Sequence, residues 1–79
     1  MNTTESSVYN RVYTSFKTAV YVMFQHLRYP RPDDEQIDKM WSVIQRQPIH
    51  LAHLSSGANI YLEQDFSPEG CYYRVKVTV

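Results

Sequence analysis

The side chains with a capacity for chemistry are three histidines, one cysteine and eight carboxylates. His50 and His53 stand three apart in the stretch IHLAHL, and Cys71 lies further on, so a zinc site is the first chemistry to weigh. Structural zinc sites are four-coordinate and usually draw on paired cysteines, whereas this chain has one cysteine and would have to recruit His26 from a distant segment. If IHLAHL is a strand, side chains alternate and His50 and His53 point to opposite faces, where they cannot share a metal. Only an irregular loop would bring His50, His53, Cys71 and His26 together. No metal and no cofactor are therefore expected, and His50 reads better as a pH-sensitive partner of Glu63.

Cys71 as a nucleophile would need an activating base and an open polar setting, and the sequence indicates neither. As a small apolar residue beginning a strand it needs nothing. Gly57 and Gly70 are the only glycines, too few for a phosphate-cradling loop, and no paired-carboxylate or serine-centred motif is present. The expectation is a protein that is not an enzyme.

Which elements would position these residues follows from periodicity. Val8, Val12, Phe16, Ala19, Val20, Met23 and Leu27 recur at three- and four-residue steps and predict a helix over about 6–28. Thr3, Thr4, Ser6 and Ser7 offer capping oxygens before it, Glu5 suits the positive end of its dipole, and Pro30 ends it near Tyr29. Its apolar and aromatic side chains cover roughly 200°, more than one core needs. The excess is a flank of Tyr9, Tyr13, Val20 and Phe24, near Lys17 and Arg28, which is either wrapped by the rest of the fold or covered by another protein or a second copy. Tyr21 falls on the polar side. A linker over 29–32, stiffened by Pro30 and Pro32, leads to a second helix over about 33–46. There Asp33 and Gln36 form a capping box, and Ile37, Met40, Trp41 and Ile44 make one apolar stripe. Trp41 is expected to anchor the core; the alternative is an exposed contact residue.

Three strands are expected over about 49–54, 58–66 and 71–79. The last two alternate as half-buried strands around the turn SPEG, in a register that sets Phe66 opposite Cys71, Leu62 opposite Val75, Ile60 opposite Val77, Ala58 opposite Val79, Glu63 opposite Arg74 and Tyr61 opposite Lys76. A two-residue turn at Ser56–Gly57 would add the first strand with Ile49 and Leu51 on the apolar face and His50 opposite Glu63. The fold class is thus α+β: two N-terminal helices packed on one face of a three-stranded antiparallel meander.

A chain of 79 residues has room for one small domain, 1–79, of modest stability. MNTTESSVYN lacks the basic start and apolar run of a signal peptide, and no stretch has the length of a membrane span, so a cytoplasmic, reducing setting without membrane is expected. Eight basic and eight acidic residues balance to zero, which argues against affinity won by neutralising many phosphates. Seven tyrosines favour half-buried contact surfaces. The expected function is a non-catalytic regulator or inhibitor that covers a surface of a partner protein, with the short, neutral profile of inhibitors encoded by phages and mobile elements. Its expected contact residues are Tyr9, Tyr13, Phe24, Arg28, Tyr29, Arg31, Tyr61 and Tyr72. A homodimer through the first helix is compatible. The alternative, of a different class, is a nucleic-acid-binding regulator using Arg28, Tyr29, Arg31 and Arg46 as a basic and aromatic patch.

Overall fold

The computed structural model describes the backbone from Ser7 and the side chains from Val8 to Val79; the capping residues expected at Thr3, Thr4, Glu5 and Ser6 lie outside the described residues. The element order is β1 (Ser7–Tyr13), α1 (Phe16–Leu27), α2 (Asp34–Arg46), β2 (Ile49–His53), β3 (Asn59–Ser67) and β4 (Gly70–Thr78). The class is α+β, but among the described residues the sheet has four antiparallel strands in the order β1-β4-β3-β2 rather than three.

The extra strand comes from the first half of the expected long helix. A four-residue step keeps side chains on one face of a helix and equally on one face of a strand, so Val8/Val12 and Tyr9/Tyr13 fit both. β-branched and aromatic residues dominate SVYNRVY, and β4 offers a partner edge. Tyr9, Arg11 and Tyr13 pair with Val77, Val75 and Tyr73, with a register shift between Ser7 and Tyr9. The three-residue step from Tyr13 to Phe16 belongs to a new element, and Ser15 caps it by accepting from the Thr18 amide at 3.3 Å.

Along α1, Phe16, Ala19, Val20 and Met23 are buried against β3 and β4, where Ile60, Leu62, Val75 and Val77 complete the core. The helix ends in a Schellman motif. Arg28 sits in the left-handed region at φ 61°, its amide donates to the Gln25 carbonyl at 3.1 Å, and the Tyr29 amide donates to the Phe24 carbonyl at 3.0 Å. The apolar contact that accompanies such motifs is here the Phe24–Tyr29 ring pair, edge to face at 5.6 Å.

α2 begins with the expected capping box: the Gln36 amide donates to Asp33 Oδ1 at 2.8 Å and the Asp33 amide to Gln36 Oε1 at 3.2 Å. Ile37 and Ile44 are buried. Trp41 does not anchor the core; it remains 42% exposed and closes the rim, its ring edge-on to Phe16 at 5.0 Å.

The β3–β4 hairpin has the expected register from Phe66↔Cys71 through Leu62↔Val75 to Ile60↔Val77, extended by Ser67↔Gly70. β2 is displaced by one residue from expectation: His50 faces Leu62 and Ile49 faces Glu63. The loop has three residues, Ser55–Gly57, with the Gly57 amide donating to the Leu54 carbonyl at 3.0 Å, the Leu54 amide donating to the Ala58 carbonyl at 2.8 Å, and Gly57 at φ 94°. That is the three-residue hairpin in which a glycine takes the left-handed position. A one-residue slip turns every side chain over, so His50 and Ala52 face the helices while Ile49 and Leu51 lie exposed on the far face. The molecule measures 19 Å in its thinnest dimension, enough for one helix layer on one sheet.

Candidate contact surface

The expected contact residues fall in three places. Tyr9 and Tyr13 belong to β1, on the side of the sheet that carries the helices, and are half-buried. Their hydroxyls hydrogen-bond to each other, and the Tyr9 ring packs edge-on against His26 at 4.5 Å. Burial, then the Tyr9 hydroxyl, pushes the Tyr13 phenol above its ordinary value. These two tyrosines fill the seam between β1 and α1, and with Val20 fully buried, no Tyr9–Tyr13–Val20–Phe24 helix flank exists for a dimer to use.

Tyr61 and Tyr72 lie on the far face. There Lys76 stands over the Tyr61 ring at 5.2 Å and reaches Glu63 at 3.8 Å, Arg74 meets Asp65 at 3.5 Å and donates to Asn10, and the Tyr72 hydroxyl donates to Glu69 at 3.4 Å. The centre of that face is a ladder of opposite charges already paired across strands.

Phe24, Tyr29 and Arg31 converge. Together with Tyr21, Gln25 and Pro32 they line a cleft of about 310 Å³ at the corner between the end of α1 and the start of α2. The Schellman turn throws Tyr29 back onto Phe24, and the linker, with Pro32 buried, carries Arg31 across the face of Tyr21. The guanidinium lies 4.7 Å from the centre of that ring and donates to its hydroxyl at 3.3 Å. Lys17, one turn earlier on α1, is 5.9 Å from the same ring and 3.4 Å from Asp34. The Arg31 hydrogen bond holds the Tyr21 phenol below its ordinary value, and Asp34 first, then Tyr21, raises the Lys17 ammonium. The cleft is thus an aromatic wall with a cation fixed beside it, a geometry that accepts a flat or apolar group next to an acidic one. Arg28, the left-handed residue before Tyr29, does not line the cleft.

Tyr21 is the residue that helical periodicity set aside. The signal for it was its four-residue spacing from Lys17 and its three-residue spacing from Phe24, which places all three on neighbouring parts of α1. Arg46 does not join Arg28, Tyr29 and Arg31: it ends α2, about 20 Å of helix away, beside Val43 and Gln47.

His53 is exposed, with Nδ1 2.7 Å from Asn59 Oδ1, while His50 points to the other face and pairs with Leu62, not Glu63. Cys71 is exposed near the tip of the β3–β4 hairpin. Among the described residues no three histidine, cysteine or carboxylate side chains gather as metal ligands, and no helix is long and apolar enough to cross a membrane. Compared with known proteins, the chain matches no family model, no curated sequence and no solved structure.

Proposed function

We propose that the protein is a small non-catalytic binding protein, a regulator or inhibitor of the kind phages and mobile elements encode, that acts by covering part of a partner protein. The observation that supports this most is the Tyr21–Phe24–Tyr29–Arg31 cleft. Tyrosine and arginine are the residue types that dominate the centres of protein interfaces, because each covers much apolar area while keeping a polar group to orient the partner. Arg31 is held in place before binding by the hydroxyl and the ring of Tyr21, which reduces the ordering cost of association. The fitting partner segment presents an aromatic or apolar side chain beside a carboxylate.

The test is co-purification from source lysate, with and without nuclease, using the wild type and the Arg31→Glu and Tyr29→Ala variants. One stoichiometric protein that survives nuclease and is lost with both variants is the expected result. Loss of captured material on nuclease treatment, with affinity falling steeply as salt rises, would replace this reading with the nucleic-acid one.

A further inference from the structure

β2 forms a free edge of the sheet among the described residues. Among the described residues the sheet order leaves two edge strands, β1 and β2. Natural edges are commonly guarded by charge, proline or a bulge. β1 has two of these, Arg11 and the register shift between Ser7 and Tyr9. β2, with the sequence IHLAH, has none: it is regular, carries no formally charged residue, and pairs with β3 without interruption.

The ladder phase shows what this edge presents. The Gln64 amide donates to the Pro48 carbonyl at 2.8 Å and the Leu54 amide to the Ala58 carbonyl at 2.8 Å. These bonds bracket β2, and antiparallel ladders alternate, so the even-numbered residues bond to β3 while the amides and carbonyls of Ile49, Leu51 and His53 point outward. The same three residues place their side chains on the uncovered sheet face, with Ile49 57% and Leu51 48% exposed. Unpaired backbone groups and exposed apolar side chains therefore coincide on one neutral strip.

We propose that this strip pairs with β2 of a second copy of the chain, antiparallel about a two-fold axis at Leu51, to make a continuous eight-stranded sheet. A two-fold axis centred on Leu51 sets Leu51 against its own counterpart and Ile49 against His53. In that register all three outward-pointing residues of each copy form hydrogen-bonded pairs, about six bonds in all. Moving the axis to His50 leaves the outward groups of His53 unused. Leu51 packs on Leu51 and Ile49 on the His53 ring, and no like formal charges are opposed, so the strip is complementary to itself in hydrogen bonding, charge and apolar contact.

Sedimentation analysis of the reduced protein tests the assembly, and residue-resolved amide exchange tests its geometry. At roughly 0.1 mM, above the micromolar Kd expected of a small interface, the chain should be a dimer. The amides of Leu51 and His53 should then be protected at least tenfold more than in dilute protein, while those of His50 and Ala52, bonded to β3, should not change. Leu51→Lys should weaken dimerisation by more than about a hundredfold by opposing like charges at the axis and removing the apolar contact. Its β3 and β4 amides should keep their protection, which distinguishes lost pairing from lost folding. A wild type that stays monomeric, a dimer unaffected by Leu51→Lys, or protection that does not alternate along β2 would each overturn the proposal.

Discussion

Replacing Arg28 by glycine should make the protein more stable. Arg28 adopts φ 61° and ψ 33°, a left-handed conformation that costs a residue with a Cβ roughly 1–2 kcal/mol. Glycine escapes that cost but brings about 0.4–1 kcal/mol of extra freedom to the unfolded chain. The substitution also removes a cation from the negative end of α1, a loss of about 0.3 kcal/mol at an exposed site. Arg28→Ala isolates the strain, because it removes the same charge and keeps the Cβ. The glycine variant should therefore exceed the alanine variant by about 0.5–1 kcal/mol, or roughly 2–8 °C in Tm for a domain of this size. Urea unfolding followed by circular dichroism gives both values. The amide bonds to Gln25 and Phe24 are backbone bonds and survive both changes. A glycine variant no more stable than the alanine one would refute the claim that backbone strain is stored at this turn. If the strain is kept because the exposed Arg28 side chain contacts a partner, both variants should bind that partner more weakly than the wild type.

Leu62→Ala, at a fully buried position over which α1 packs, should cost about 2–5 kcal/mol, whereas Leu51→Ala on the open face should cost under about 1 kcal/mol; equal losses would mean that the β2 register is wrong. Thr78 is 2% exposed and its hydroxyl finds no partner among the described residues, so Thr78→Val should be neutral or stabilising by about 1 kcal/mol in the same unfolding assay. In a spectrophotometric tyrosine titration, Tyr21→Phe should remove a component that ionises below the ordinary phenol value. Burial raises the phenols of Tyr13 and Tyr73. The stability tied to keeping them neutral is therefore fully present below their unfolded value of about 10 and is lost as pH rises through their folded values, so their ionisation should accompany alkaline unfolding.

The elements legible in the sequence are those whose signals are local. Asp33, Gln36 and the stripe of Ile37 and Ile44 specify α2 within a few turns of chain. The SPEG turn and the alternation on either side specify the β3–β4 register, because neighbours in sequence form the pairs. The residues of the cleft were legible as types, since Phe24, Tyr29 and Arg31 flank a helix end and a proline-stiffened linker; their convergence on Tyr21 was not. Tertiary structure decided the rest. Val8 to Tyr13 satisfy helix and strand periods equally at four-residue spacing, and only pairing with β4, 60 or more positions away, makes them a strand. β2 depends on whether its loop has two residues or three, a choice settled by Gly57 taking the left-handed position, and that single residue decides which side of IHLAH meets the core. Pairing across long sequence separations and a one-residue change of register leave almost no trace in local composition, yet between them they fix which face of this sheet is covered and which edge stays open.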